Sequence, residues 1–238
     1  MAGSFAHRVL ELFMQRAPEE RTVEVAKAIA RAEWPNVESD PDFVALGYDA
    51  ERSKQFRWKS WLAIEGLWAL EDPKTVDVHA TEQDIEVDLG GVPFRGIVDR
   101  LDEEGDGLVV TDYKSGKAPS PRFRRGRLDQ VLLYAAAFQA ASGEMPVRAR
   151  LLYLGQRPVG IDVNQGEIDT VVDKLAATWS AITHACAIDA FEPRTGPLCG
   201  WCPYVDRCPE GTDEIARRQA KRDAEVVALN DFEERMVS

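Results

Sequence analysis

Two short stretches hold residue types that could do chemistry together: Gly96-Ile-Val-Asp99 and, thirteen residues after Asp99, Asp112-Tyr-Lys114. They read as the second and third strands of a meander joined by the turn-forming run Asp102-Glu-Glu-Gly-Asp-Gly107. A turn centred between Gly105 and Asp106 sets Arg100 opposite Thr111 and Asp99 opposite Asp112. Directly opposed residues have Cβ atoms only ~4.5–5.5 Å apart, and like charges there are destabilising, so something positive should lie between the two acids. Side chains repeat every two residues along a strand, so Lys114 shares a face with Asp112 and falls opposite Ile97. Carboxylate oxygens suit a hard divalent cation such as Mg²⁺ or Mn²⁺, and a neighbouring lysine can orient a water or offset charge on a phosphate. That is the chemistry of phosphodiester hydrolysis. On these residues alone, a solvated hairpin face with Lys114 paired to one aspartate is an equal alternative.

A second cluster is cysteine. Cys199, Cys202 and Cys208 have the spacing C-x2-C-x5-C, and with Cys186 they place all four cysteines in the last quarter of the chain. Such spacing lets one loop present three thiolates to a single centre, which in a reducing compartment suggests metal before disulfide. A third cluster is basic. Between Tyr113 and Leu128 stand Lys114, Lys117, Arg122, Arg124, Arg125 and Arg127, with no acidic residue among them. Phosphate contact needs a local basic footprint rather than a basic protein. The plainer reading is a mobile, solvated loop.

The rest of the chain must position these groups. Across 238 residues the net charge is −12, which excludes a histone-like nucleic-acid coat. With 45% hydrophobic and 29% charged residues the composition is that of a soluble globular protein. No run approaches the ~18 apolar residues of a membrane span and the N-terminus lacks the order of a secretory signal, so the expected location is the cytoplasm, with no membrane partner. Phe5, Val9, Leu12 and Phe13 at helical spacing predict a helix almost from the start, continued by Val23–Ala32 and broken by 35–41. A second helical region over 42–70 carries Phe56, Trp58, Trp61, Leu62 and Trp68, read mostly as packing residues. After Pro73 the period changes from 3.6 to 2: Ile85, Val87 and Leu89 lead through Gly90-Gly91 into the second and third strands. A helix over about 128–141, strands near 148–154 and 159–163, a long helix over about 168–188 and a charged helix over about 212–235 complete the order.

The motifs, taken in order, resemble a known family. Gly96-Ile-Val-Asp99-Arg-Leu-Asp, then Asp112-Tyr-Lys114-Ser-Gly, then Gln130-x-x-x-Tyr134, is similar to the PD-(D/E)xK nuclease superfamily, and within it to the RecB-like exonuclease branch with its AddB-type members. Gly3-Ser-Phe-Ala-His7-Arg-Val-Leu-Glu11 resembles that branch's G-x-x-x-H-x-x-L-E helix. The likeness runs from about residue 3 to residue 210. It implies an α/β fold with a restriction-endonuclease-like core, a central mixed sheet with an antiparallel meander flanked by helices. It also implies His7, Asp99 and Asp112 as metal ligands with the Tyr113 backbone carbonyl, Lys114 as the catalytic lysine, and an assisting role for Glu82. Gln130 and Tyr134, one helical turn apart, would support the lysine or touch the DNA backbone. Without the resemblance, His7 is an ordinary surface or satisfied histidine, and Gln130 and Tyr134 are surface and packing. The implied organisation is a nuclease domain over 1–190, with N-terminal helices 1–72 and a catalytic core 73–190, then a cysteine segment 191–211 and a charged helix 212–238.

In AddB-type members a 4Fe–4S cluster staples the C-terminal segment to the N-terminal one, with the fourth cysteine upstream of the GxxxH histidine. This chain begins six residues before His7. Three explanations stay open: an upstream segment bearing that cysteine, substitution by Cys186, or zinc held by the three cysteines with Cys186 or His184. A redox dithiol of Cys199 and Cys202 is a fourth. The expected activity is a Mg²⁺- or Mn²⁺-dependent DNA nuclease, an exonuclease in preference to an endonuclease, acting in repair, recombination or phage DNA processing. Lys117, Arg122, Arg124, Arg125 and Arg127 would hold the strand. The rival is a DNA-binding or scaffold protein with a nuclease fold and no turnover. No phosphate-binding P-loop is present, so a duplex-processive role would need a separate helicase.

Overall fold

The computed structural model describes residues 2–237, which form two compact units divided between Trp179 and Ser180. The first is built on a five-stranded sheet, β1 (Asp77–Leu89), β2 (Val92–Glu104), β3 (Gly107–Lys114), β4 (Arg148–Tyr153) and β5 (Arg157–Asp162), in that spatial order. β1, β2 and β3 form the expected antiparallel meander, β4 lies parallel to β3, and β5 returns antiparallel to β4. The sheet is therefore mixed. The β1–β2 turn is Gly90-Gly91, with φ of +61° and +84°. Two left-handed residues in a two-residue loop match the twist of the flanking strands, and glycine takes that conformation without a Cβ clash.

Helices cover both faces. α1 (Ala2–Met14), α2 (Val23–Glu38), α3 (Pro41–Ala45) and α4 (Ala50–Glu65) precede the sheet. Thr22 caps α2, Asp40 caps α3 and Asp49 caps α4, each side chain accepting from a backbone N–H of the first turn. Phe5, Val9, Leu10 and Phe13 of α1 pack with Ile29 and Trp34 of α2, Trp61 and Ile64 of α4, and Tyr113, Leu152 and Leu154 from the sheet region. The other face is covered by α6 (Asp129–Ser142), which links β3 to β4, and by α7 (Gln165–Ala187). Leu132, Ala135 and Ala136 of α6 and Ile168 and Val171 of α7 close over Val98, Val110 and Leu151. A four-residue turn of helix, α5 (Arg124–Arg127), lies in the loop before α6.

Two local expectations need correction. The break expected over 35–41 falls later, because α2 runs through Pro35 to Glu38. Proline in the last turn forfeits a single backbone bond, and the Pro35 carbonyl still accepts from Ser39 N–H. Trp58 and Leu62 are not packing residues: they are 59% and 45% exposed, while Trp61, between them, is buried.

In the second unit, Cys199 lies in a 3₁₀ turn over Pro197–Trp201 and Cys208 follows another over Val205–Arg207, with α8 (Pro209–Val237) packed on both turns. No helix among the described residues is long and apolar enough to cross a membrane.

Candidate active site

The β2–β3 ladder has the register expected from the turn, with Arg100 opposite Thr111 and Leu101 opposite Val110, and it ends there. One step further along, Asp99 and Asp112 face the point where β3 leaves β2 and continues beside β4 as far as Lys114 opposite Tyr153. The backbone N–H of Tyr113, freed from the ladder, donates to Asp99 Oδ2 at 2.7 Å. On the other side, Thr81 opposite Arg100 and Gln83 opposite Val98 bracket Glu82, which brings Glu82 across from Asp99. Three carboxylates thus stand in a row across three strands. Glu82 has φ +46°, a left-handed conformation that a residue with a Cβ holds at a cost of roughly 1–2 kcal/mol. Its neighbours must supply that energy, and such strain concentrates at sites.

The fourth member comes from α1. His7 Nε2 lies 2.9 Å from the Tyr113 carbonyl oxygen and Nδ1 lies 3.2 Å from Asp99 Oδ1. Burial opposes a charge on His7, but the hydrogen bond to Asp99 and the nearby carboxylates outweigh it and raise its pKa. Protonated, the ring donates to both oxygens. Glu82 is raised by burial and by Asp99. Asp112 is pushed up to about 6, first by burial and then by the charge of Asp99, against the pull of Lys114. The row is short of positive charge.

That shortage is the test of whether a hard cation fits, and the donor set passes it. His7, Glu82 and Asp99 each offer a ligand atom and these lie within 4.8 Å of one another, alone in doing so among the described residues. A divalent cation would offset the burial and the Asp99 charge that raise Asp112 and Glu82, and carboxylate, carbonyl and imidazole donors suit Mg²⁺ or Mn²⁺.

Lys114 closes the other end. Its Nζ lies 2.7 Å from Asp112 Oδ2 and donates to Gln130 Oε1 at 2.9 Å, and Gln130 Nε2 donates to the Tyr134 hydroxyl at 2.8 Å. Tyr134 in turn rests on Gly96. A Cβ there would meet the ring at 2.7 Å, so the glycine three residues before Asp99 is what lets α6 lie this close to β2.

All residues predicted around the carboxylates are therefore brought together. The basic loop divides. Lys117 and Arg127 join Lys114 and Gln130 in lining a groove of about 560 Å³. Arg125 instead pairs with Glu167, Arg122 lies over Phe123 with 5.6 Å between guanidinium and ring centre, and Arg124 is exposed. Cys186, Cys199, Cys202 and Cys208 are free thiols. Gly196 N–H points at Cys199 Sγ and Gly211 N–H at Cys208 Sγ, both at 3.3 Å, yet the sulfurs do not converge as the His7 group does.

Sequence reasoning missed the support behind Tyr113. Arg100, fully buried, lies over the Tyr113 ring and donates to its hydroxyl at 2.6 Å. It is held by Glu71 at 2.6 Å and Asp102 at 2.7 Å, and Arg150 reaches the same Asp102 at 2.7 Å. Tyr113 is thus fixed at ring, hydroxyl, N–H and carbonyl, and the last two touch Asp99 and His7. Alternation offered a signal: Arg100 and Asp102 share a strand face, where a charge pair in an otherwise apolar core should be mutual.

A mixed sheet with a carboxylate row at the split between antiparallel and parallel pairing, flanked by helices, defines a restriction-endonuclease-like α/β nuclease fold. The model of the PD-(D/E)XK nuclease superfamily matches residues 1–209, and the chain belongs to that superfamily. Its members typically use Mg²⁺ or Mn²⁺. No curated protein matches. Among 22 matching chains of solved structures is the crystal structure of SSO0001, at 16% identity over 84% of each chain with a TM-score of 0.39.

Proposed function

We propose that this chain is a metal-dependent deoxyribonuclease of the RecB-like kind, cutting from strand ends. The observation that carries the reading is the row Glu82, Asp99 and Asp112 with His7 at one end and Lys114 at the other. His7, Glu82, Asp99, Asp112 and the Tyr113 carbonyl would hold Mg²⁺ or Mn²⁺, which when bound supplies charge stabilisation and a water of lowered pKa. Lys114, anchored by Asp112 and Gln130, donates to a phosphoryl oxygen and offsets the charge that grows on it. Lys117 and Arg127 hold the flanking phosphates in the groove beside Lys114. Gln130, itself tied to the Tyr134 hydroxyl, gives the lysine head a second fixed contact beside Asp112.

The spacing of Cys199, Cys202 and Cys208 supports a structural metal, an iron–sulfur cluster before zinc. A helicase would supply strand separation, since no P-loop is present. Labelled single- and double-stranded DNA incubated with Mn²⁺ should be degraded by the protein and survive with Asp112→Ala. Equal cleavage by both would remove these residues from the reaction, and retention of DNA without cleavage by folded protein would favour a binding role.

A further inference from the structure

The first unit holds a second cationic site, sharing no residue with the groove beside Lys114, that the nuclease chemistry does not use. Along α4, Lys54, Arg57, Trp58, Trp61 and Glu65 recur at helical spacing and face Lys27, Ala30 and Arg31 of α2, spaced by three and four. The two stripes enclose a cleft of about 410 Å³ floored by Phe5 of α1. That volume lies within the range of small-ligand sites, roughly 300–1,000 Å³. Four cations meet one carboxylate there, in a chain whose net charge is −12.

The cations are not consumed by the fold. Among the described residues, none of Lys27, Arg31, Lys54 and Arg57 has an ion-pair partner. Two of them lie against indoles: Lys27 Nζ is 5.4 Å from the centre of Trp61, and the Arg57 guanidinium is 5.4 Å from that of Trp34. Trp58 also lines the cleft and is 59% exposed, so much of its indole meets solvent. A large flat apolar surface ringed by unpaired cations matches a ligand that is itself a polyanion with flat apolar faces. A polyanionic peptide would satisfy the lysines and leave the indole wet. A single-stranded nucleic acid satisfies both, with a base on Trp58 and the adjoining phosphates on Lys54, Arg57 and Arg31.

We infer that the α2–α4 cleft is a holding site for single-stranded nucleic acid, with Trp58 as its stacking platform. Its link to cleavage rests on the nuclease reading. Phe5 and His7 stand two positions apart on α1 and project about 200° apart, so a strand in the cleft is separated from the carboxylates by the thickness of one helix, about 10–12 Å. A long substrate can therefore occupy both sites, and a very short one cannot.

The test is binding of a labelled oligothymidylate of about 12 nucleotides, a length within single-strand site sizes, to the full chain in EDTA, where nothing is cut. Trp58→Ala should weaken binding roughly 5- to 150-fold, the range of base–aromatic stacking, and Trp58→Phe should restore most of it. Lys54→Gln should lower the slope of log K against log salt by about 0.7. Trp58 is largely exposed, so neither Trp58 variant threatens the fold. With Mn²⁺, Trp58→Ala should raise KM for long strands and leave cleavage of a trinucleotide unchanged. Unchanged affinity in Trp58→Ala, or an oligoglutamate binding as tightly as the oligothymidylate, would overturn the inference. Binding that depends on Trp58 in a protein that never cuts would keep this site and remove the nuclease reading, so the two fail separately.

Discussion

Strands β2 and β3 carry two acid-rich clusters within a few residues of each other, and the two are compensated in opposite ways. Around Arg100 and Arg150 the charges balance: Glu71 and Asp102 are each gripped at 2.6–2.7 Å, and Thr111 Oγ1, which accepts from Arg150, donates to Asp102. Around Asp99, three carboxylates share Lys114 and the imidazole of His7, and Asp112 is driven up to about 6. The first cluster is balanced in charge. The second is left incomplete on the side a cation would enter, and a buried charge deficit kept in a fold that can build balanced networks one strand position away points to a ligand.

The comparison breaks most visibly at Arg100. Arg100→Met leaves Glu71 and Asp102 with a buried charge and one fewer partner, and such a loss costs about 3–5 kcal/mol. Urea unfolding should show it as a lower midpoint with Mn²⁺ or without. If Arg100→Met were neutral, the balanced cluster would not be the structural member of the pair.

Asp112 should behave the other way. Asp112→Ala should lower cleavage by roughly 10²–10³-fold or more, the scale of losing a preorganised charge at a reacting phosphate, measured as initial rate on labelled DNA. Asp112→Asn should abolish activity equally and make the metal-free protein more stable at neutral pH. The sign follows from the shift. A carboxyl near 3.8 unfolded and about 6 folded contributes stability that is full below pH 3.8 and lost as pH rises through about 6. Replacing it removes a destabilising term of about 1–3 kcal/mol at pH 7. A fall in Tm for Asp112→Asn would show that the row needs no cation.

The same protons compete with the metal. Mn²⁺ should raise Tm at pH 7.5 and do so much less at pH 5, where Asp112 and His7 hold their protons, with Mg²⁺ following the same trend. A pH-independent thermal shift would place the ion elsewhere.

Much of this site was legible in the sequence, for physical reasons. The turn Glu103-Glu-Gly-Asp-Gly107 fixes the β2–β3 register, and a strand register fixes which side chains face each other. His7, Gln130 and Tyr134 needed the resemblance, since nothing local brings a helix at residue 7 to a strand at residue 99. Arg100 and its partners were not legible as a network: Glu71 and Arg150 join it only through the fold. Trp58 was misread because helical spacing shows that a stripe exists without showing whether another element covers it, and here Trp61 is covered while Trp58 is not. The late break of α2 had a simpler cause, since a proline in a last turn costs little and the capping Asp40 sits five residues on.

The smallest effect separates the site from its support. Gln130 accepts from Lys114 and donates to Tyr134, and it touches no carboxylate. Without it, Lys114 retains its 2.7 Å contact with Asp112 and loses the second tether that fixes the direction of its head. Gln130→Ala should therefore leave Tm and the Mn²⁺ thermal shift near wild type while lowering kcat about 10-fold, as loss of a group that orients a reacting side chain does. Gly96→Ala acts on the same chain of contacts from the other end, pushing Tyr134 outward, and its activity loss should not add to that of Gln130→Ala. Additive losses would mean that glycine and glutamine serve different functions, and that Tyr134 is packing after all.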